Sequence, residues 1–561
     1  MSRVRVLLVI VALATLAPAT WGHGGSFRGP RGGVPPGLPS QPSKPGASGG
    51  SFHTWLTWWG YNQFNHIKFR KRQAERRGPV TGIKKEPEDP NAWRADVRAR
   101  LTPLMMRAIE DTDEEVRTAA CVALGKWQVK KATLQLRKMR TDDPIKQVRE
   151  AALLGLVLMR DPLLRPHFIE IASSDKENLR MRGYALLGLG LSKDEQAKTY
   201  LLNLLDPKNK KARRAWPQST KEQREFLICA VGALIQNGDP SLAKEFLRLT
   251  GEKRLPEEVR AMACSGIGKL GANALLPNVQ QILKTSDSAH LRRSAAVACG
   301  VLATRQDTSA IKELGKRISK DKDRIVGHFA TLSLGQIGGP DAFKLLRRYY
   351  PRANKESRGF FLIAFGLCGE NDGAEYLKEA LTKNKDARDR AAAALAFGLY
   401  QKKEHAPLVR EKFGEAKDWL LMQSTMLALG ILDDKQSAPG IKEVLITRKE
   451  PAVRTSAAMS YALLRQWSAI PVFVDLLETS RSIVTLSTIS QVMGFLSSPR
   501  AVDPLVKVVE NDKLQRQARA FALVALGSLG DPEEIPLLVR MAFDMNYMLR
   551  SDPFDEAITI L

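Results

Sequence analysis

The residues most able to do chemistry in this sequence are cationic, and their densest group lies between Asp206 and Thr220. That stretch places five basic side chains beside one tryptophan: Lys208, Lys210, Lys211, Arg213, Arg214 and Trp216. Clustered ammonium and guanidinium groups bind polyanions, and such binding weakens steeply as salt is raised. The whole chain is basic too, with 86 Lys and Arg against 60 Asp and Glu and a formal charge of +26. This stretch is therefore a candidate contact with an anionic polymer or a protein partner.

A second candidate contact lies near the N-terminus, where Trp55, Trp58 and Trp59 fall within five residues. Two interpretations stay open: a cap that packs on the first structural unit, or an anchor on a partner or membrane surface. A basic run follows at residues 68–77 and is either a solvated linker or a contact with lipid headgroups or a polyanion. Its candidate contact residues are Arg70, Lys71 and Arg72.

No constellation in the sequence predicts an active site. The five cysteines lie in apolar stretches, show no CxxC pattern and are expected to be buried as small hydrophobic residues: Cys121, Cys229, Cys264, Cys299 and Cys368. The seven histidines are scattered without metal-ligand spacing. Gly266 to Gly271 matches GxGxxG, but it closes a predicted helix instead of opening one, so it does not predict a dinucleotide site. We therefore expect a protein that is not an enzyme and that uses neither metal nor cofactor.

The element that must position these residues is a repeated phrase, clearest from Glu114 to Trp127. It joins a polar start, Val-Arg, small apolar residues and Ala-Leu-Gly, and we anchor it on Val116, with Gly125 nine residues later. The chain carries thirteen copies, with most anchors 31–36 residues apart, and a fixed period of this size predicts a solenoid. Their anchors are Val116, Val148, Leu179, Gln223, Val259, Leu291, Val326, Ser357, Asp389, Leu421, Val453, Thr485 and Ala518, and the glycines paired with Leu179 and Gln223 are Gly188 and Gly232.

Each copy has apolar residues at helical spacing, and an apolar stretch before it often carries a proline near its start. The unit is thus a first helix, a short turn and a second helix that carries the phrase. The glycine either caps the second helix or lets a neighbouring helix come close. We predict an all-α fold, an α-solenoid of about thirteen stacked helix pairs with N- and C-terminal caps. It would be on the order of 100–130 Å long, with the second helices on a concave surface.

The Val-Arg and Ala-Leu-Gly of the second helix, the prolines of the first helix and an acid in the turn resemble the HEAT-repeat family. The likeness is to its short, phycobilisome-lyase-like form and to large secreted bacterial proteins of unassigned activity. The resemblance covers roughly residues 93–540 and implies a scaffold. It also implies that the recurring Arg pairs with an Asp of a neighbouring turn. The arginines concerned are Arg117, Arg149, Arg260, Arg292 and Arg454, with Asp113, Asp143, Asp287 and Asp512 as partners.

The remaining segments predict how the chain is organised. Residues 1–22 read as a signal peptide, because Arg3 and Arg5 precede a twelve-residue apolar run too short to span a bilayer. Residues 23–50 are a Gly/Pro/Ser-rich tether, 51–92 an aromatic and then basic cap or linker, 93–540 the repeat array with its insertion at 206–220, and 541–561 a C-terminal cap. The expected location is periplasmic or secreted.

The function that these observations favour is a non-enzymatic extracytoplasmic scaffold that binds a protein partner. The first alternative is a polyanion-binding protein whose basic turns form an edge that binds polysaccharide, lipid headgroups or nucleic acid. The turns concerned lie at 206–220, 317–324, 352–358, 383–390 and 448–454. The second alternative is a lyase-like enzyme, which the absence of chromophore-handling residues disfavours.

Overall fold

The computed structural model describes residues 55–56, 58–59, 93–448, 450–464, 469–481, 483–496 and 498–530. Between residues 93 and 530 these form thirteen helix pairs, as predicted. The first helices of the pairs are α1 (Trp93–Ala108), α3 (Thr133–Asp142), α5 (Arg165–Ser173), α7 (Glu195–Leu204), α9 (Leu242–Gly251), α11 (Leu276–Thr285), α13 (Thr308–Lys320), α15 (Pro340–Tyr349), α17 (Gly373–Lys383), α19 (Ala406–Gly414), α21 (Ala438–Thr447), α23 (Ile470–Thr479) and α25 (Val502–Glu510). The second helices are α2 (Glu114–Lys126), α4 (Lys146–Leu158), α6 (Leu179–Leu191), α8 (Thr220–Asn237), α10 (Glu257–Lys269), α12 (Ala289–Leu302), α14 (Arg324–Ile337), α16 (Arg358–Cys368), α18 (Ala387–Tyr400), α20 (Trp419–Leu432), α22 (Pro451–Leu463), α24 (Ile483–Leu496) and α26 (Arg516–Gly530).

Local sequence fixes where these helices begin. Asp113 precedes α2, and its side-chain oxygen accepts the backbone N–H groups of Glu115 at 2.9 Å and Val116 at 3.2 Å. These bonds satisfy amide groups that have no partner inside the helix. Pro277 and Pro471 occupy the first turns of α11 and α23, as the sequence predicts. Proline costs nothing there, because the amide it lacks would be unpaired.

The recurring glycine serves close packing between second helices. We number positions in each second helix from its anchor, so that Val116 is position 0 and Gly125 is position 9. A Cβ on Gly125 would lie 2.3 Å from the carbonyl oxygen of Gly155, which is position 7 of the next repeat. Further round the array, the glycine at position 9 again lies against position 7 of the following repeat: Gly268 on Ala298, Gly335 on Ala364, Gly366 on Ala396, Gly398 on Ala428 and Gly430 on Ser460. Of the two roles predicted for this glycine, close approach of helices is the one found.

These contacts correct the predicted register of two repeats. Gly190 lies on the backbone of Ala233, which is the contact that position 9 makes with position 7 elsewhere in the array. Gly188 lies against the ring of Phe168, and this matches the contact of Gly266, a position 7, with the ring of Phe246. The anchors of repeats 3 and 4 are therefore Met181 and Phe226, not Leu179 and Gln223. The sequence pattern predicts the wrong register here because Gly188 and Gly232 stand at positions 7 and 6, and a glycine there imitates the recurring glycine of position 9.

The last repeat packs on the first, so the array closes into a ring. A Cβ on Gly527 of α26 would lie 2.9 Å from the Cα of Ala123 in α2, which repeats the contact between positions 9 and 7. Arg519 at position 1 pairs with Asp111 at 2.8 Å, five residues before the first anchor. Arg117 pairs with Asp143 at 3.0 Å in the same relation between repeats 1 and 2. The junction of repeats 13 and 1 is thus an ordinary repeat interface, which we call the seam.

Closure changes two predictions drawn from an open array. The facing ends of the first and last repeats cover each other, so terminal caps are not what covers them; the predicted C-terminal cap, 541–561, lies outside the described residues. The length predicted for an open array corresponds instead to the circumference of the inner layer of the ring. Thirteen inner helices packed at the usual 8–10 Å place opposite helix axes roughly 35–40 Å apart.

The second helices form the inner layer of the ring, as predicted, because it is they that make the close glycine contacts from repeat to repeat. They are not an open concave surface, however. Nine consecutive residues of α4, from Glu150 to Leu158, are buried, and this run exceeds two helical turns. The exposed parts of the described chain are instead the outer face of the first helices and the two rims made by the turns.

Candidate partner-binding site

The insertion 206–220 lies on the rim made by the turns between first and second helices, here between α7 and α8. Trp216 fixes it, since its indole N–H donates to the carbonyl oxygen of Leu204 at 2.9 Å and the guanidinium of Arg213 lies over its ring at 5.2 Å. The buried Arg182 holds the other side by donating to the carbonyl oxygens of Ala215 and Ala172. The insertion is therefore a folded platform, and Trp216 is half-buried as its support.

The five predicted cations of the insertion are all exposed on this platform. The sequence has no Asp or Glu between Pro207 and Lys221. Within the described residues no ion pair joins Lys208, Lys210, Lys211, Arg213 or Arg214 to an acid. Positive charge thus remains uncompensated at this point of the rim.

Adjacent repeats place three further exposed cations on the same rim, although Asp175 and Glu177 flank the first of them and Glu252 precedes the other two. Lys176 lies in the turn before α6, and Lys253 and Arg254 lie in the turn before α10. All three side chains are exposed. We call the eight cations of repeats 3 to 5 the basic sector: Lys176, Lys208, Lys210, Lys211, Arg213, Arg214, Lys253 and Arg254.

The other basic turns of the predicted edge are more balanced. Arg317 pairs with Glu313 at 2.9 Å, Arg324 with Glu356 at 3.4 Å. The same holds for Lys355 and Arg358, which pair with Asp386 and Asp389. Acids placed between these cations therefore dilute the positive field, and the exposed cations of the predicted edge are densest at the insertion.

The Arg–Asp contacts implied by the family resemblance are found in part. Arg117 pairs with Asp143 at 3.0 Å and Arg292 with Asp321 at 2.9 Å, each joining one repeat to the next turn. Arg149 and Arg260 instead donate to backbone carbonyl oxygens. The sequence did not indicate that Asp111 pairs with Arg519. In an open array no repeat precedes the first one, so Asp111 has an arginine beside it only because the two ends of the array meet.

The N-terminal aromatic cluster is buried, with exposed fractions of 3% for Trp55, 8% for Trp58 and 2% for Trp59. Trp55 lies against Gly359 of α16, in the eighth repeat, where a Cβ would come within 2.0 Å of the indole Cδ1. Trp55 therefore contacts a repeat half-way round the ring. The sequence predicted a cap on the first repeat instead. Burial also means that these side chains do not form an exposed partner contact in this structure. The candidates Arg70, Lys71 and Arg72 lie outside the described residues.

The described residues show no arrangement for catalysis. All five cysteines are free and buried, as predicted. Burial raises the pKa of Cys264 to about 12 and that of Cys368 to about 11, so these thiols stay protonated near neutral pH. No group of three or more His, Cys, Asp or Glu could hold a metal ion within the described ranges. Among the helices described, none combines the length and apolar character needed to cross a bilayer.

Comparison with known proteins agrees with the repeat architecture. The model of HEAT repeats matches residues 94–157 and 374–462. A search of curated proteins gave no match. A structure of human deoxyhypusine hydroxylase is 15% identical, with 49% of this chain and 97% of that chain covered and a TM-score of 0.22. A structure of importin beta is 11% identical, with 80% and 73% covered and a TM-score of 0.38. At these values, what those proteins do is not carried over to this chain.

Proposed function

We propose that this chain, which is a HEAT-repeat protein, is a non-enzymatic extracytoplasmic scaffold that binds an acidic protein partner through the basic sector of its rim. The observation that carries the proposal is the insertion 206–220, where five exposed cations, with no acidic partner in the part of the chain that the structure describes, stand on a platform fixed by Trp216 and Arg182. Because the backbone of the platform is already held in place, it loses little further conformational entropy on binding, which favours affinity.

A binding role fits the rest of the described chain. Helical repeats of this kind provide long interaction surfaces, and here the inner helices are buried, so that the rims and the outer face are what a partner can reach. The cysteines that could act as nucleophiles are buried and protonated. The extracytoplasmic location rests on the sequence of residues 1–22, which has the features of a signal peptide.

Polyanion binding is a second candidate, favoured by the lack of any acid between Pro207 and Lys221. A protein partner would present discrete carboxylates and add apolar contacts. An anionic polymer would be bound through its charge alone, and its affinity would fall steeply with salt as counterions are released. Salt dependence therefore separates the two candidates.

The test titrates the purified chain with labelled heparin and, separately, uses it as bait in extracytoplasmic extract at physiological salt. The variant K208E/K210E/K211E/R213E/R214E reverses the charges of the insertion. The matched control K320E/K322E/R352E/K383E/K385E makes the same change of net charge at exposed cations elsewhere on the same rim.

We expect the extract to yield a partner that the control variant keeps and the insertion variant loses by tenfold or more in affinity. Heparin binding with a steep salt slope, lost in the insertion variant and without a protein partner, would establish the second candidate instead. Equal losses in both variants would overturn the assignment of the site, because net charge alone would then explain binding.

A further inference from the structure

The inner wall of the ring can be identified from helical geometry. In each second helix, positions 7 and 9 face the neighbouring second helices, as the glycine contacts show. Position 1 faces the outer layer, since Arg260 and Arg519 donate from there to carbonyl oxygens of their own first helices, at Thr250 and Val509. At 3.6 residues per turn, the face left over carries positions 2, 6 and 10. These positions therefore face the ring axis.

The middle row of this wall, position 6, is largely apolar. It carries Val, Leu, Ile or Met in ten repeats: Val122, Leu154, Leu187, Val297, Leu332, Ile363, Leu395, Leu427, Met459 and Val524. Most of these side chains are buried, Leu332 and Leu427 with 6% and 5% exposed and Ile363 with none. A wall of this kind presents an apolar surface toward the axis, against which large apolar side chains can be buried.

The aromatic cluster meets this wall at Gly359, which is position 2 of α16. The indole of Trp55 lies directly on the glycine, with Cδ1, Nε1 and Cγ at 2.0, 2.7 and 2.8 Å from where a Cβ would stand. Trp58 and Trp59 follow with ring centroids 6.3 Å apart, and both are buried with Trp55. Only a residue without a side chain admits the indole here, so Gly359 forms a seat for Trp55.

The contact at the seat joins the segment before repeat 1 to a repeat on the opposite side of the ring. Repeat 8 lies seven repeats from repeat 1 in one direction round the ring and six in the other, so it stands opposite the point where the array starts. Trp59 precedes Trp93, the first residue of α1, by 34 positions. We propose that the segment of Trp55, Trp58 and Trp59 is an internal ligand of the inner wall, which occupies the seat at Gly359 and ties repeat 8 to the N-terminal side of repeat 1.

This inference goes beyond the proposed function, since it concerns the inner wall and not the basic sector. It assigns the wall an occupant of aromatic chemistry that the chain itself supplies. The indole N–H of Trp55 is buried and has no hydrogen-bond partner among the described residues, so the seat selects the apolar ring and not its polar group. Phenylalanine at position 55 should therefore still be held, whereas alanine should not.

The test is a double-mutant cycle between Gly359 and Trp55 in the full chain. Gly359→Ala places a methyl group within the indole and should lower the Tm when Trp55 is present. In the Trp55→Ala background the same change should raise the Tm, because alanine is favoured over glycine inside a helix. Gly414→Ala is the matched control, since a Cβ there would meet nothing within 4 Å, and it should have the same effect in both backgrounds.

Hydrogen exchange supplies a second measurement, which remains informative in a variant that is less stable but still folded. In folded Gly359→Ala protein, amide exchange in residues 55–59 should accelerate at least tenfold, while Trp55→Phe should leave it within about twofold. Additive effects on Tm in the cycle, together with unchanged protection of residues 55–59, would overturn the proposal. If Gly359→Ala does not fold, Trp55→Ala alone still decides, because faster exchange in residues 358–363 is expected and its absence would refute the contact.

Discussion

The seam between repeats 13 and 1 closely resembles the interior junctions of the ring, although no turn connects the two repeats that meet there. Position 9 lies on position 7 in both, at Gly527 on Ala123 and at Gly335 on Ala364. The Arg–Asp contact is also shared, by Arg519 with Asp111 and by Arg292 with Asp321. Closure therefore follows from the repeat itself, since the same interface that adds one repeat to the next also joins the last to the first.

The differences lie in single side chains. At the seam, the Trp127 indole N–H donates to the carbonyl oxygen of Leu526 at 2.9 Å, and its ring lies on Gly530. Glu115 faces Gln517 there, with 3.4 Å between the amide nitrogen and the carboxylate, whereas its counterpart Glu258 faces Arg224 at 3.2 Å. Beside the shared Arg–Asp pair, the seam thus has a strong aromatic contact at Trp127 and a weak polar contact at Glu115, and no connecting turn holds its sides together when one of these is lost.

The largest expected effect comes from Trp127→Ala. Removing a buried Trp typically costs about 3–5 kcal/mol. At the seam no turn links the two repeats, so the ring should open before it unfolds. The interior counterpart is Tyr400→Ala, at the same position 11, whose hydroxyl donates to the Glu370 carbonyl oxygen. Small-angle scattering below the melting temperature should show a larger radius of gyration for Trp127→Ala only. An equal radius in the two variants would mean that the seam is no weaker than an interior junction.

A middle-sized effect is expected from the recurring arginine. Arg519→Ala and Arg292→Ala each remove charge-assisted hydrogen bonds, at about 1–3 kcal/mol. Arg292→Ala should cost more, because Asp321 is left almost fully buried, with 1% of its side chain exposed against 16% for Asp111. Hydrogen exchange should distinguish the sites, since only Arg519→Ala should raise exchange in both α2 and α26. Protection unchanged at the seam would contradict the role given to Asp111.

The smallest effect concerns pH. Burial raises the pKa of Glu115 from 4.5 to about 7. The folded chain therefore keeps a proton that the unfolded chain releases near pH 4.5, and the unfolding free energy falls as pH rises from about 4.5 to 7. Glu115→Gln should remove this pH-dependent loss. The unfolding free energy should rise by at most about 1–2 kcal/mol for a half-buried group, and the rise should be larger at pH 8 than at pH 5. Glu258→Gln should instead destabilise, because it leaves Arg224 without its acid. Thermal melts at the two pH values measure both.

Much of the fold could be predicted from the sequence, because thirteen helices carry the same short-range pattern. Two anchors were misplaced where Gly188 and Gly232 imitate the recurring glycine, and only the contact of Gly190 with Ala233 reveals the true register. Ring closure could not be predicted. It depends on a small rotation at each of thirteen junctions, and no single residue encodes that sum.

The candidate site was predicted unevenly for a related reason. The cations of the insertion were found from local density, and whether they have acidic partners depends on neighbouring turns that the sequence does not place. Trp216 and Trp55 were read as possible contacts because tryptophan is typical of interfaces, yet both serve the chain's own packing. For Trp55 the missing information was the seat at Gly359, about 300 residues away in sequence.

The closed ring gives every repeat two neighbours, which alters how the molecule can come apart. A linear array has end repeats that melt first, each at the cost of one interface, so its stability is partly local. A ring has no such starting point, because the first repeat to unfold must break two interfaces at once. The nucleation of unfolding therefore costs more than it does at the end of an open array, and the transition should be more cooperative than that of an open array with the same helices.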